Sequence, residues 1–126
     1  MNTQLNLTYR DASNYKASST VILKGEITQE LIDAITQNLE EGCMIIADQV
    51  GLPTPAEQLY AEFGGPGEDD HVFTAIEQWD EDQLTLADFL TQVPATLDMT
   101  IAEVAQSISK ATWDVGKEME RQGIPL

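Results

Sequence analysis

Three consecutive acids and the only histidine of the chain form the segment with the clearest capacity for chemistry. Glu68, Asp69, Asp70 and His71 follow the glycine-rich sequence GGPG. Adjacent carboxylates in a loop can bind a hard cation, and a glycine-rich turn can cradle a phosphate. The segment lacks the spacing of an EF-hand calcium loop and the lysine of a phosphate-binding loop, and its acids would repel a phosphate. We therefore interpret residues 64–71 as a solvated acidic connector and assign it no metal and no cofactor.

Nucleophilic catalysis would need Cys43 or a serine together with His71, because a nucleophile requires a base within reach. Cys43 lies in the apolar sequence GCMII, and we expect it to be buried as a small apolar side chain. A single histidine also excludes zinc sites built from several imidazoles. The sequence thus favours a protein without catalytic activity. A carboxylate-based metal-binding protein or hydrolase that uses residues 64–71 is the alternative.

The charge of the chain excludes several classes of partner. Six Lys and Arg against 22 Asp and Glu give a formal net charge of −16. Residues 25–109 contain no Lys or Arg but hold 18 of the acids, so most acids have no cationic neighbour in sequence. Such a surface repels nucleic-acid phosphates and anionic lipids, and we expect neither direct binding of nucleic acid nor membrane association. It is complementary to a basic protein partner.

Two further acidic groups offer a surface for such a partner. The run DED at 80–82 follows Trp79, and an aromatic residue beside an acidic run suits a protein interface, because aromatic anchors contribute much of the binding energy. A helix predicted at 28–41 carries an acidic face without a basic residue to neutralise it. The residues that we predict contact the partner are Glu30, Asp33, Glu40, Glu68, Asp69, Asp70, Trp79, Asp80, Glu81 and Asp82.

These observations predict a non-enzymatic acidic protein that inhibits or regulates a basic protein, for which a nucleic-acid-binding protein is one candidate. Carboxylates at helical spacing can imitate the regular negative charge of a phosphate backbone. In size and charge, though in no motif, the chain resembles the small acidic inhibitor and immunity proteins that block nucleases and other nucleic-acid-binding proteins. A housekeeping protein whose charge serves solubility is a second alternative. The sequence is also compatible with a homodimer.

The elements that must position these residues begin with two strands. Apolar side chains alternate in QLNLTYR, which predicts a strand at 3–10, and a DASN turn leads to a second strand at 15–25. Two strands joined by a short turn form a hairpin. Helical spacing then predicts a helix over 28–41, with Thr28 as its N-cap and Gly42 as its stop.

Shorter elements follow in the middle of the chain. The apolar run 43–50 fits a buried strand. Thr54 and Glu57 have the spacing of a capping box, in which the two side chains satisfy free N–H groups at a helix start. We therefore predict a short helix that ends near Phe63.

The last third of the chain contains one further strand and two helices by the same criteria. Residues 71–79 are rich in β-branched and aromatic side chains, which favours a strand. Thr85 and Asp88 have capping-box spacing and predict a helix that ends before a proline. Thr100 is the N-cap of a predicted helix over 101–121 with a continuous apolar face.

Together these elements predict a single α+β domain over residues 1–126. Its fold would be a small, mainly antiparallel sheet with an N-terminal hairpin, covered by two main amphipathic helices and one or two short helices. No apolar run approaches the roughly 20 residues that span a bilayer, and the first residues have no signal-peptide pattern. We expect a cytoplasmic protein.

Overall fold

The first strand of the N-terminal hairpin lies at the centre of the sheet, and the second lies at its edge. In the computed structural model, which describes residues 1–76 and 86–124, β1 (Asn2–Arg10) pairs with the antiparallel β2 (Lys16–Leu23). Side chains alternate between the two faces of a strand, and along β1 every second residue is buried. The predicted hairpin is confirmed.

The other edge of β1 carries the remaining strands. Near its C-terminal end β1 pairs with β4 (Thr74–Ile76), which pairs in turn with β3 (Met44–Ile45), and its first residues pair with β5 (Leu90–Thr91). In the described part of the chain the sheet therefore has five strands, all paired antiparallel, with the order β2-β1-β4-β3 and β5 beside β1. The strand predicted over 43–50 is much shorter, because the chain enters a 3₁₀ helix at Ala47–Val50.

The helices of the described residues are α1 (Gln29–Thr36), α2 (Ala56–Phe63), α3 (Ile101–Lys110) and α4 (Val115–Gln122). Apolar side chains of α1 and α3 join those of the buried face of β1 in one core. The chain therefore has the predicted α+β fold. None of the helices in the described ranges has the length and apolar content needed to cross a bilayer.

The first helix is shorter than the predicted span of 28–41. Thr28 is its N-cap as predicted, and its hydroxyl accepts a hydrogen bond from a first-turn N–H at 3.2 Å. The helix ends at Thr36, because Glu40 and Met44 exchange two backbone hydrogen bonds of 2.8 and 2.9 Å that turn the chain into β3. Pairing with the sheet has replaced the last turn of the helix.

The predicted capping box of α2 is wrong. The N–H of Glu57 donates to the backbone carbonyl of Thr54 at 3.1 Å and not to its hydroxyl. That hydroxyl accepts instead from Nη2 of Arg121 at 3.1 Å. A side chain distant in sequence has displaced the local cap, and the helix itself ends at Phe63 as predicted.

The long helix predicted over 101–121 is two helices. Thr100 caps the first as predicted, accepting from a backbone N–H at 3.0 Å, but Ala111 leaves the helical conformation with ψ 133°. Asp114 then caps α4 through a 3.0 Å bond from the N–H of Lys117. The break lets the intervening tryptophan pack half-buried against two parts of the core.

The helix predicted after Thr85 is replaced by a 3₁₀ turn and a strand, although Thr85 itself lies outside the described residues. The turn spans Leu86–Asp88, and β5 follows it. The carbonyl of Phe89, which is fully buried, accepts from the N–H of Gln4 at 2.7 Å. The open edge of β1 offers backbone partners that a short isolated helix would lack.

Candidate functional site

The predicted acidic connector packs against the turn of the hairpin. The hydroxyl of Tyr9, whose side chain is buried, donates to Oδ1 of Asp70 at 2.6 Å and accepts from the N–H of His71 at 3.2 Å. The second carboxylate oxygen of Asp70 accepts from the N–H of Gly67 at 2.7 Å. Asp70 therefore organises residues 64–70, which we call the acidic loop, through hydrogen bonds to neutral donors.

Asp69 ties the same loop to the hairpin turn. Its carboxylate accepts a hydrogen bond from the hydroxyl of Ser13, and its carbonyl accepts from the N–H of Ala12 at 3.1 Å. Its neighbour Glu68 is exposed. Of the three predicted loop acids, Asp70 is half-buried and held by neighbouring groups, whereas Glu68 and Asp69 remain at the surface.

A pocket of about 200 Å³, which we call the acidic pocket, lies between this loop, the hairpin turn and α2. The described residues that line it include four carboxylates and no Lys or Arg. Its lining comprises Asp11, Ser13, Tyr15, Leu59, Tyr60, Phe63, Gly65, Gly67, Glu68, Asp69 and Asp70. The structure thus adds an acid from the hairpin turn to the predicted loop acids.

Two exposed aromatic side chains form part of the same pocket. Tyr15 and Phe63 have 54% and 57% of their surface exposed, and their ring centroids lie 5.1 Å apart at an interplanar angle of 56°. Asp11 positions Tyr15, because its Oδ1 accepts from the N–H of Tyr15 at 2.9 Å. Neither aromatic residue was predicted to contact a partner. Their separation in sequence hides the pair, although the position of Tyr15 beside a turn is a signal of exposure.

Tyr60, which lines the pocket, and Tyr9, which donates to Asp70, are held in their neutral form. Burial, followed by the negative charge of Asp70, raises the pKa of Tyr60 to about 12. The pKa of Tyr9 is raised further by burial and by its hydrogen bond to Asp70. Both phenols therefore act as uncharged groups at neutral pH, and the negative charge of the pocket comes from its carboxylates.

The other predicted acids on described residues lie away from this pocket. Glu30 and Asp33 are exposed on α1, and Glu40 is half-buried in the turn that follows this helix. The helix starts after the end of β2 that pairs with Thr3, whereas the acidic loop contacts Tyr9. Tyr9 lies six positions beyond Thr3 in β1, or about 20 Å at the usual rise of a strand. The structure does not bring the two predicted acidic groups together.

The remaining predicted partner-binding residues lie outside the described residues. They are Trp79, Asp80, Glu81 and Asp82, which fall within the interval 77–85. The strand predicted over 71–79 is confirmed at Thr74–Ile76, and its last three residues fall in the same interval.

The structure places the candidate nucleophile and base in one pocket on the outer face of the sheet. Cys43 and His71 line a space of about 330 Å³, and Cys43 is half-buried, contrary to the prediction that it would be buried. Both ring nitrogens of His71 face the backbone: Nδ1 accepts from Phe73 at 3.0 Å, so Nε2 carries the proton and donates to the carbonyl of Arg10 at 2.8 Å. In this arrangement the imidazole cannot take a proton from the thiol.

A second group of carboxylates surrounds Arg121. Its Nε lies 2.6 Å from Oε1 of Glu118 and 3.2 Å from Oδ2 of Asp48, and its Nη1 lies 3.1 Å from Oε1 of Glu57. Glu118 is 2% exposed and also accepts from Gln122 at 2.8 Å. Hydrogen bonds to Glu118 raise the pKa of the arginine, so this cluster, which we call the Arg121 cluster, is permanently neutralised at its centre.

Metal chemistry gains no support from the described residues, which contain no group of three or more His, Cys, Asp or Glu side chains placed to hold an ion. The carboxylates of Asp69 and Asp70 instead accept from separate hydrogen-bond donors. Comparison with known proteins adds no relative: no family model matches the chain, and neither the curated proteins nor the solved structures include a significant match.

Proposed function

We propose that this chain is a non-enzymatic binding protein that engages a basic protein through its acidic pocket and the surrounding surface. The observation that supports this function most directly is the convergence of carboxylates from two distant segments, Asp11 from the hairpin turn and three acids from the acidic loop. Asp11, Asp69 and Asp70 accept hydrogen bonds from neutral donors, and the described residues that line the pocket include no Lys or Arg. Their charge is therefore available to a partner.

The local field supports binding of a cationic surface. Arg10 and Lys16 face each other across the hairpin next to this turn and offset part of the charge of the four carboxylates, but neither of them lines the acidic pocket. Charges separated by less than the Debye length, about 8 Å at physiological salt, act together on an approaching partner. An acidic patch of this kind accelerates association with a basic protein and opposes association with an acidic one.

Inhibition or regulation is the outcome that fits this surface. A protein that binds nucleic acid presents clustered Lys and Arg to phosphate groups, and a carboxylate-rich surface can occupy the same site. The exposed acids Glu30 and Asp33 on α1 extend the negative charge to another part of the molecule. We therefore propose a basic, nucleic-acid-binding protein as the target.

Affinity capture tests this function. The wild-type chain would be immobilised and exposed to a lysate of the organism that encodes it at about 0.15 M and about 0.5 M salt. A captured basic protein should be retained at the lower salt and released at the higher. The decisive variant combines Asp11→Asn, Glu68→Gln and Asp69→Asn, which preserve shape and remove three charges from the acidic pocket.

A matched control distinguishes local from general charge. The triple variant Glu41→Gln, Glu103→Gln and Glu120→Gln removes the same charge from exposed acids outside the pocket. We expect the pocket variant to lose the captured protein and the control to retain it. Equal retention by both would overturn the proposed function and leave the charge as a contribution to solubility.

A further inference from the structure

One wall of the acidic pocket is aromatic and remains uncovered. Tyr15 and Phe63 contact each other through tilted rings but expose more than half of their surface. A purely apolar partner would cover these rings only by removing water from the neighbouring carboxylates, which is costly without a compensating charge. The occupant must therefore combine a flat apolar face with positive charge.

A guanidinium group has this combination. It is planar, carries a delocalised positive charge, stacks on aromatic rings and donates several hydrogen bonds in its own plane. Glu68 and Asp69 lie at the surface of the same pocket as the two rings, and each carboxylate can accept several such bonds. We infer that the acidic pocket binds one arginine side chain of the basic partner, stacked on Tyr15 or Phe63. This inference rests on the proposed function.

The size and construction of the pocket agree with this occupant. Its volume of about 200 Å³ is smaller than the roughly 300 Å³ at which small-molecule sites begin, and it suits a single side chain. The rings sit on separate supports, since Tyr15 is held by Asp11 and Phe63 is the last residue of α2 before Gly64 with φ +82°. A lysine ammonium is compact and strongly hydrated, so it would gain less from the rings.

Peptide titration tests the inference without the natural partner. Three pentapeptides, acetyl-Gly-Ser-X-Ser-Gly-amide with arginine, lysine or citrulline at X, would be added to ¹⁵N-labelled protein while amide resonances are followed. The arginine peptide should shift the amides of Tyr15, Gly65 and Gly67. Citrulline, which keeps the shape without the charge, should produce no saturable shift, and lysine should bind more weakly.

Variants test the aromatic contribution. Tyr15→Leu and Phe63→Leu keep an apolar side chain but remove the ring, and the variant that lacks the stacked ring should weaken binding of the arginine peptide by about two- to fivefold, the size of an exposed cation–π interaction. Phe73→Leu makes the same change outside the acidic pocket and should leave the affinity unchanged. Urea denaturation of each variant shows whether it is folded.

Each contrary outcome has a defined meaning. Equal affinity for arginine and lysine, saturable shifts with citrulline, or no shift in the pocket would overturn the inference. Unchanged affinity of the arginine peptide for both Tyr15→Leu and Phe63→Leu would also overturn it while leaving the proposed function intact. Retention by the charge-neutralised pocket variant, in contrast, would overturn the proposed function itself.

Discussion

The Arg121 cluster and the acidic pocket use the same side chains for different purposes. Around Arg121, three carboxylates converge on one guanidinium, and Glu118 is buried beneath it. In the acidic pocket, four carboxylates converge with no Lys or Arg among the described lining residues, and three of them accept from hydroxyl and backbone N–H groups. A carboxylate that faces a cation inside the fold has its charge compensated there, whereas one held by neutral donors retains its negative charge.

Removal of the central cation should have the largest effect. Arg121→Met would leave the buried carboxylate of Glu118 without its cation and lower the free energy of unfolding by about 3 kcal/mol. Urea denaturation measures this change. Lys110→Met, which removes an exposed cation from α3, should change the stability little. Adding Glu118→Gln to Arg121→Met should restore much of the loss, and failure to do so would contradict the assigned role of the buried charge.

Removal of a neutral donor should have a smaller effect. Tyr9→Phe would delete the hydroxyl that donates to Asp70 and accepts from His71, at a cost of about 1.5 kcal/mol. Amide hydrogen exchange should show faster exchange at Gly67 and His71 than in the wild type. An unchanged exchange rate at both amides would show that Tyr9 does not order the acidic loop.

Alkaline pH should lower the stability of the protein through Tyr60, which lines the acidic pocket. The folded pKa of Tyr60 is about 12, above the usual value near 10 in an unfolded chain, so the folded state binds this proton more tightly. The contribution of the Tyr60 proton to the free energy of unfolding is therefore fully present below pH 10. It is lost as the pH rises from 10 to 12, and the loss is about 1 kcal/mol at pH 11. Urea denaturation of wild type and Tyr60→Phe at pH 9 and pH 11 measures the difference. The variant should lose less stability over this interval, and an equal loss would contradict the prediction.

An exposed ion pair should have the smallest effect. Lys24 donates to Asp98 in a pair whose side chains are largely in water, where solvent screens the attraction. The hydrogen bond to Asp98 raises the pKa of Lys24 and lowers that of Asp98, but both groups remain charged at neutral pH. Lys24→Gln should leave the urea midpoint within replicate scatter. A clear loss of stability would show that surface and buried ion pairs contribute alike in this protein.

Local patterns in the sequence predicted the elements that depend on nearest neighbours. Alternation in β1 and β2 predicted the hairpin because the period of a strand is a local property. Thr28 and Thr100 were identified as N-caps because each bonds to a backbone N–H three residues away. The net charge of −16 likewise follows from composition and directs attention to a basic partner.

Where the local patterns gave a wrong prediction, contacts between distant residues explain the observed structure. Thr54 has the spacing of a cap, yet its hydroxyl bonds to Arg121, which lies 67 residues away. The helix predicted over 101–121 breaks, and Gln49 holds Asp114 at the break through bonds of 2.9 and 3.2 Å. Helical spacing in a sequence shows that one face of a helix is apolar. It does not show which distant residue will bond to the chain and favour a break in the helix.

The difference between the Arg121 cluster and the acidic pocket also depends on tertiary contacts. Composition and sequence position identified a chain rich in acids and a loop that contains Glu68, Asp69 and Asp70. Only the folded chain separates the carboxylates that meet Arg121 from those that meet Tyr15 and the hairpin turn, because these neighbours come from distant segments. The sequence by itself therefore determined how much charge the protein carries, and the tertiary structure decided which part of it is neutralised, since pairing depends on distances in space.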